Sequence, residues 1–352
     1  MTNLYMVAWE QGGGKTALCV GLGKHLQSHN KRVGYLKPVA LSAAEVSPGS
    51  DKDARFVHLA LSLEEPVEAL CPFYLSSSLA LKAELAEKDF PRRLLEAYSA
   101  VAKDKEVVLL EGWGGLGRDN GLLQASCQMA DILDAKVIVL VSYFTDLQWG
   151  RVNLSASKFG QRLLGVVINR VPQGKMESTR TEVVPLFHKE GIKVLGVLPE
   201  ERLLFGVSVA ELAEHLQAEV LCCHESLGEL VENLMMGALT VDHGIDYFAR
   251  KDNKAVITRG RRPDIQLAAL ATSTKCLILS EGVAPIPQVL HWAEDKGTPI
   301  LLVKGDTLST VAKVEETILQ ARFRQQKKQG KLAQILEQHF DFDTLYQSLD
   351  GQ

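Results

Sequence analysis

The chain has 352 residues, of which 46% are hydrophobic and 23% charged, the balance of a folded globular protein and not of a disordered one. With 39 basic and 43 acidic residues its net charge is −4, so the sequence shows no overall electrostatic attraction for nucleic acid or an anionic membrane. The length favours two domains, and the expected partner is a small molecule or another protein.

The six cysteines have no CxxC spacing, and we interpret them as reduced thiols of a cytoplasmic protein. His224 follows Cys222 and Cys223, but two adjacent thiols cannot easily face one ion together with the next imidazole, so a buried strand end is favoured over a zinc site. The N-terminus lacks a basic segment followed by a long apolar run, and no apolar run reaches about 18 residues. Neither secretion nor a membrane span is expected.

The first part of the chain alternates short apolar runs with amphipathic stretches, a pattern typical of βαβ units that build a parallel sheet with helices on both faces. Strands are predicted at 4–8, 32–39, 107–112, 136–143, 163–171 and 194–198. Helices are predicted at 15–28, 52–62, 90–103, 145–158, 176–190 and 208–216. Because the strands are apolar throughout, we expect both faces of this sheet to be buried.

The same alternation starts again after residue 215, which predicts a second and smaller α/β domain. Its predicted elements are a helix around 226–235, strands at 254–258, 276–280 and 299–303, and helices at 263–272, 286–296 and 308–325. We therefore expect domains over 1–216 and 217–327 and a C-terminal helix or tail over 328–352. A basic cluster at 321–331 is interpreted as a solvated helix face.

The segment WEQGGGKT joins the first strand to the first helix, which is the order of a phosphate-binding loop. Gly12, Gly13 and Gly14 permit backbone angles closed to other residues, so successive N–H groups can point at phosphate oxygens. The N-terminus of the helix adds partial positive charge. The sequence therefore predicts ATP binding, with Lys15 reaching the β- and γ-phosphates and the Thr16 hydroxyl binding Mg²⁺.

An acidic residue is predicted to complete this site. Glu111 ends the apolar strand VVLLE, where a carboxylate of the Walker-B type meets the metal, although a buried structural carboxylate is the alternative. Asp51 and Asp53 lie near the start of a predicted helix, and either could serve only as its N-cap. Trp9 stands where the consensus loop GxxxxGK[ST] has its first glycine, so a loop without a ligand is a further alternative.

Four ordered segments, GGGKT, YLKPVA, EGWGG and GVVINRVP followed by LGVLPEE, resemble the dethiobiotin synthetase-like P-loop family, to which cobyrinic acid synthases are related. The resemblance covers about residues 1–215. It implies that Lys37 is a second active-site lysine beside Lys15. It also implies that Thr16, Asp53 and Glu111 surround Mg²⁺.

The same resemblance implies that Asn169 lies on the adenine ring and that Pro199 lies in the loop beside it. Glu10 and Gln11 stand where the synthetases favour an Asp-Thr pair, and Leu41 replaces the small residues that follow KPVA. These positions face the substrate in the family, so we do not expect a diaminopelargonate site.

Residues 217–325 resemble the DRTGG domain through VITRGRRPDIQLAAL, LILSEG and TPILLVKGDTLSTVAKVEE. Both domains together resemble the N-terminal half of long-form phosphate acetyltransferases. Few residues follow position 330, so acetyl transfer is not expected. The segments GRRPD (260–264) and SEG (280–282) depart from the usual DRTGG pattern, which implies a changed ligand specificity if that loop binds one.

Three functions remain open at this stage. In the first, ATP occupancy of the P-loop domain changes how the second domain binds a small-molecule effector or a protein partner. In the second, the protein is an ATP-dependent ligase or carboxylase in which Lys15 and Lys37 stabilise phosphoryl transfer. In the third, the P-loop is vestigial in a scaffold. Homo-oligomerisation is common in the resembled family and is a further open point.

Overall fold

The computed structural model describes residues 1–41, 49–144, 149–237, 244–319, 323, 325 and 327–350. The chain divides into two compact units, one formed by Met1–Glu200 with Gln326–Gln352 and the other by Glu201–Gln325. In the described part of the chain, no helix is both long enough and apolar enough to cross a membrane.

The first unit is built on a six-stranded parallel sheet, as the alternating pattern predicts. Its strand order is β2-β5-β1-β6-β7-β8, which places β1 at the centre. The strands of this unit are β1 (Thr2–Ala8), β2 (Val33–Leu36), β3 (Val39–Leu41), β4 (Phe73–Leu75), β5 (Val107–Gly114), β6 (Ala135–Ser142), β7 (Leu163–Val171) and β8 (Val194–Pro199). Every residue of β1 is buried, as expected for a strand covered on both faces.

Helices connect these strands and cover the sheet. They are α1 (Lys15–Ser28), α2 (Lys52–Leu61), α3 (Val67–Leu70), α4 (Ser78–Ala86), α5 (Phe90–Ala102), α6 (Asn120–Ile132), α7 (Trp149–Ala156), α8 (Met176–Ser178) and α9 (Val184–Lys189). The sequence did not predict α3, α4 or α6. The start of the helix predicted at 145–158 lies outside the described residues, and the helix predicted at 176–190 is interrupted by a π-helical turn at Thr179–Val183.

The strand predicted at 32–39 is divided into two, and this correction matters for the site. β2 ends at Leu36, and β3 begins at Val39 and pairs with β4 in a separate two-stranded sheet. Pro38 lies between them and has no backbone N–H to donate to a strand ladder. The break leaves Lys37 at the carboxyl end of β2, where its backbone N–H donates to the Leu70 carbonyl at 2.8 Å.

The second unit contains a five-stranded sheet of order β10-β15-β14-β13-β12, with β12 to β15 parallel and β10 antiparallel, and a small β9-β11 pair. Its strands are β9 (Val207–Ser208), β10 (Glu219–Val220), β11 (Leu230–Val231), β12 (Asn233–Met236), β13 (Lys254–Arg259), β14 (Thr274–Ser280) and β15 (Ile300–Leu302). Its helices are α10 (Arg202–Phe205), α11 (Val209–Leu216), α12 (Gly244–Phe248), α13 (Pro263–Leu270), α14 (Pro287–Lys296) and α15 (Thr307–Leu319).

Two expectations for this unit are corrected. The helix predicted around 226–235 is wrong, because this segment forms β11 and β12, and β12 adds an edge strand parallel to β13. The apolar spacing of this short segment is compatible with a helix, but its backbone pairs with β13 and forms a strand. The second unit also begins earlier than residue 216, because Val209, Leu212 and Leu216 of α11 pack in the same core as Ala255 and Ile257 of β13.

The C-terminal segment expected at 328–352 consists of two helices, α16 (Lys327–His339) and α17 (Phe342–Asp350), that belong to the first unit. Between them, the Asp341 N–H donates to the Leu195 carbonyl of β8 at 2.7 Å, and Phe340 forms an isolated bridge with Gly196. Of the helix predicted at 308–325, the structure describes α15 over Thr307–Leu319, and residues 320–322 and 324 lie outside the described residues. Residues 321, 322, 324 and 326 of the basic cluster at 321–331 lie outside the described residues, and Lys328 is buried, so the cluster is not entirely a solvated face.

Candidate nucleotide site

The loop between β1 and α1 has the geometry that its glycines suggest. Gly12 and Gly14 have φ angles of +71° and +96°, in the left-handed region that favours glycine. A Cβ atom on Gly13 would lie 2.8 Å from the Cβ of Ala8, so a side chain is excluded there by contact. Strand, loop and helix therefore follow one another as predicted, and α1 begins with Lys15 and Thr16.

Thr16 and Glu111 are joined directly. The Thr16 hydroxyl donates to Glu111 Oε1 at 2.8 Å, and the Tyr35 hydroxyl donates to Glu111 Oε2 at 2.9 Å. Glu111 is 3% exposed and lies inside β5, which continues to Gly114 and does not end at Glu111 as the sequence predicted. The structure thus brings together two of the three predicted metal ligands. Tyr35 was missed from the sequence, because it lies inside the short edge strand β2 and belongs to no motif.

Two lysines act electrostatically on Glu111. Burial raises the pKa of Glu111, while the positive charges of Lys37 and Lys15 oppose that rise. Burial lowers the pKa of Lys15, and the Glu111 carboxylate partly restores it. A Cβ atom on Gly114 would lie 3.2 Å from Lys15 Nζ and 2.5 Å from the Glu10 carbonyl oxygen. The glycine after EGW therefore leaves room for the P-loop lysine.

Lys37 lies between the two aspartates that the sequence singled out. Its ammonium group lies 2.7 Å from Asp51 Oδ2 and 3.2 Å from Asp53 Oδ2, and it is 13% exposed. Burial acts to lower the pKa of Lys37, but the carboxylates of Glu111, Asp53 and Asp51 outweigh it and raise that pKa above its usual range. Lys37 is therefore a charged ammonium group at neutral pH.

The two aspartates have different roles at α2. Asp51 is the N-cap, because its Oδ1 accepts the Ala54 N–H at 2.7 Å. Asp53 lies in the first turn of α2 and directs its carboxylate to Lys37. Among the described residues, no group of three or more His, Cys, Asp and Glu side chains is arranged to hold a metal ion. Asp53 as a third Mg²⁺ ligand stays a prediction.

The end of β7 contacts the loop. Asn169 Nδ2 donates to the Gly13 carbonyl at 3.0 Å, and Arg170 Nη2 donates to the Gly12 carbonyl at 2.6 Å. Pro199 ends the neighbouring strand β8 and is paired with Val171. The adenine contact of Asn169 and the place of Pro199 beside the base stay predictions. Arg170 was missed, since nothing in INRV distinguishes it from a solvent-exposed arginine.

The residues that depart from the synthetase pattern have structural explanations. Trp9 is buried, and a Cβ atom on Gly117 would lie 2.3 Å from its ring. Glu10 Oε2 accepts the Ser142 N–H at 3.0 Å, while Gln11 is exposed. Burial raises the pKa of Glu10. The glycines of the segment after Glu111 therefore accommodate a tryptophan in place of the consensus glycine.

In the second unit, GRRPD forms the turn from β13 to α13, where Arg262 Nη2 lies 2.8 Å from Asp264 Oδ2. The segment SEG follows β14, and Glu281 and Gly282 have φ angles of +70° and +66°. Arg259 Nε lies 3.0 Å from Glu281 Oε1, which joins the two turns. These segments therefore lie together at the carboxyl edge of the second sheet.

The adjacent cysteines are part of the second unit's core. Cys222 and Cys223 are buried, and their thiols contact the carbonyls of Thr298 and Ala293. Burial raises the pKa of Cys223 to about 12. His224 begins a short 3-10 turn. This arrangement agrees with a structural role for the two thiols.

Comparison with known proteins places both units in families. Residues 2–208 match the family described as AAA domain, and residues 211–317 match the DRTGG domain. The phosphate acetyltransferase of Nitrosomonas europaea is 24% identical over 333 residues, covering 89% of this chain and 46% of that protein. The chain thus spans about half the length of the curated relatives it matches.

Two solved structures are similar at low identity. Cobyrinic acid a,c-diamide synthase from Mycobacterium smegmatis, with bound ADP and magnesium, is 18% identical, with 57% of this chain and 88% of that chain covered and a TM-score of 0.38. The CBS and DRTGG domains of the regulatory region of Clostridium perfringens pyrophosphatase, complexed with diadenosine tetraphosphate, are 12% identical, with 46% and 79% covered and a TM-score of 0.28. The AAA domain match at residues 2–208 spans more than half of this chain. The chain therefore belongs to the AAA domain family, with a DRTGG domain after its P-loop domain.

Proposed function

We propose that the first unit binds ATP with Mg²⁺ and that the second unit gives the protein a regulatory, metabolite-sensing role. The observation that supports ATP binding best is the bond from the Thr16 hydroxyl to the buried Glu111 carboxylate, directly after a glycine-rich loop. A hydroxyl at the start of the P-loop helix and a carboxylate at the end of a neighbouring strand are the protein ligands such a site offers to Mg²⁺.

The donor set fits a magnesium ion, which prefers oxygen ligands and commonly keeps several waters beside one or two carboxylates and substrate phosphates. Thr16 and Glu111 would hold it, with Asp53 as the third residue implied by the family resemblance. When bound, Mg²⁺ neutralises charge on the phosphates. Lys15 adds a half-buried positive charge for the β- and γ-phosphates, and the loop glycines leave the backbone open to them.

A melting-temperature measurement tests nucleotide binding. A ligand that binds only the native state stabilises it by about 2.7 kcal/mol at ~100 times its dissociation constant, so millimolar MgATP should raise the melting temperature of the wild type. Lys15→Ala should abolish the shift. Lys24→Ala, in the same helix but outside the loop, should keep it. No shift in the wild type would exclude the proposal.

The topology of the second unit's sheet supports the regulatory role. The helix after β14 contributes Val289 and Ala293 to one core, whereas the helix after β15 contributes Val314 to the core on the other face. Connections that leave adjacent parallel strands in opposite directions open a crevice at their carboxyl ends. SEG lies at this edge of the sheet, and we infer that a small-molecule effector binds there.

Hydrogen exchange tests the coupling of the two units. If ATP occupancy is sensed, MgATP should change the exchange rates of amides in residues 201–319 of the wild type. Lys15→Ala should show no such change, because it removes the ligand and not the second unit. Unchanged exchange in the second unit at saturating MgATP would contradict the sensing role.

The alternative function is an ATP-dependent ligase or carboxylase of the dethiobiotin synthetase type. The observation that favours it is the position of Lys37, a charged and largely buried lysine with Asp51 and Asp53 at the same edge of the sheet as the loop. Such a residue could stabilise a phosphoryl group in transfer. Loss of ATP-dependent turnover in Lys37→Ala, with ATP binding retained, would support this alternative.

A further inference from the structure

The loop of the candidate nucleotide site is held from outside through its carbonyl oxygens. The Asn169 side-chain amide donates to the Gly13 carbonyl at 3.0 Å, and the Arg170 guanidinium donates to the Gly12 carbonyl at 2.6 Å. Both donors are consecutive residues at the end of β7, and the Asn169 carbonyl in turn accepts the Tyr143 N–H at 2.7 Å. Strand β7 therefore holds the backbone of the two residues whose side chains contact the loop.

Peptide geometry gives these bonds a consequence. The C=O of one residue and the N–H of the next belong to one planar trans unit and point in opposite directions. When Arg170 draws the Gly12 carbonyl towards β7, the Gly13 N–H must point away from β7. Asn169 does the same for the Gly14 N–H by way of the Gly13 carbonyl. Within the described parts of the chain, neither of these two amides donates to a backbone carbonyl.

The surroundings are shaped for this contact. A Cβ atom on Gly14 would lie 2.8 Å from Asn169 Nδ2, so only glycine lets the amide reach the loop. Arg170 itself has a φ angle of +60°, in the left-handed region that is unfavourable for arginine. Arg170 N–H also donates to Asn169 Oδ1 at 2.9 Å, which orients the Asn169 amide. Arg170 thus keeps an unfavourable backbone conformation at the point where the Asn169 and Arg170 side chains contact the loop.

We propose that Arg170, together with Asn169, is a positioning residue of the nucleotide site: it holds the loop carbonyls and so directs the Gly13 and Gly14 amides at the phosphates. This inference rests on the proposed ATP binding. Arg170 acts through the loop and contacts no phosphate. Its side chain is needed for the form of the loop before any nucleotide arrives.

The test compares Arg170→Asn with the wild type. Asparagine tolerates a positive φ but is too short to reach Gly12, so the variant should fold with an unchanged or higher melting temperature. A hydrogen bond from a charged donor is lost, and MgATP should bind about tenfold to a hundredfold more weakly. Hydrogen exchange of residues 9–16 without nucleotide should be faster. Arg170→Lys keeps a donor on a side chain long enough to reach the Gly12 carbonyl. It should therefore restore part of the MgATP affinity and part of the protection of residues 9–16 from exchange.

The control variant is Arg162→Asn, which removes an arginine just before the other end of β7 and should leave MgATP binding unchanged. If the wild type does not bind MgATP, the proposed function fails. If the wild type binds but Arg170→Asn binds equally well, only the positioning role fails. Weaker binding with unchanged loop exchange would also overturn it, because that result indicates a direct contact with nucleotide.

Discussion

Gly21 of α1 lies against Leu336 of α16, so closely that a Cβ atom at residue 21 would come within 2.3 Å of Leu336 Cδ1. A second contact, with Leu332 Cδ2, would measure 3.1 Å. Helix α16 thus packs directly on α1, the helix whose first residues are Lys15 and Thr16. The segment expected to be a C-terminal helix or tail therefore packs against the helix that begins at the candidate nucleotide site.

This contact predicts that Gly21→Ala destabilises the protein. Alanine is the better helix former by about 1 kcal/mol, but overpacking a buried contact costs about 1 to 3 kcal/mol. Gly330→Ala in α16 is the matched control, because no heavy atom lies within 4 Å of its added Cβ, and it should stabilise. Urea unfolding measures both. In a double-mutant cycle, Gly21→Ala with Leu336→Ala should be less destabilised than the sum of the single variants. Additive losses would contradict the close contact.

The docking of α17 should weaken in acid. The His25 ring stacks on Phe342 with 3.6 Å between ring centroids. Burial and the neighbouring His29 lower the pKa of His25, while Glu337 opposes this. The unfolded state then binds more protons, so stability falls as pH drops through the unfolded value of about 6.5 towards the lower folded one.

His25→Gln removes this titration, so it should lose less stability than the wild type between about pH 7.5 and about pH 5.5. Unfolding midpoints in urea at the two pH values give the comparison. Equal losses in the two proteins would mean that His25 keeps the same affinity for protons in the folded and the unfolded chain.

The second unit should fold alone only when the fragment includes α11. A fragment of residues 201–325 keeps Val209, Leu212 and Leu216 in the core beside β13, and it should unfold cooperatively. A fragment of residues 218–325 loses these three side chains and exposes the apolar face of the sheet, so it should bind a hydrophobic dye and lack a cooperative transition. Equal cooperativity in the two fragments would contradict this assignment of α11.

We predict that the protein does not make dethiobiotin. Gln11 is exposed, and Leu41, 37% exposed at the end of β3, adds apolar bulk where a diamine substrate needs hydrogen bonds. A site that leaves polar substrate groups unpaired loses about 10⁴-fold in selectivity. Diaminopelargonate, bicarbonate and MgATP are incubated with the protein and, in parallel, with a dethiobiotin synthetase, and product is read by mass spectrometry. Product at the synthetase's rate, lost in Lys37→Ala, would replace the regulatory function by the ligase one.

Local patterns predicted the parallel sheet and most of its helices. The helix predicted at 15–28 agrees with α1 to the residue, and β7 has the predicted ends 163 and 171. The errors occur where distant residues decide the outcome. Residues 233–236 form a strand because they pair with β13. The C-terminal helices belong to the first unit because α16 contacts β8 and α1.

The site divides in the same way. Lys15, Thr16 and Glu111 follow from a loop motif and a strand end, which are local signals. Tyr35 and Arg170 carry no such signal, because each acts on a group far away in sequence: Tyr35 on Glu111, and Arg170 on Gly12. Sequence reasoning finds residues that belong to a motif, whereas the residues that hold a motif in place emerge only from the structure.

The most direct test of the account is the metal dependence of ATP binding by Glu111→Gln, measured by calorimetric titration. If Thr16 and Glu111 hold one Mg²⁺, the variant should bind ATP much more weakly than the wild type in Mg²⁺ and about as well as the wild type in EDTA. Tyr35→Phe, which removes a donor but keeps the carboxylate, should retain the metal dependence. An equal loss in both buffers would assign Glu111 a structural role and contradict the proposed site.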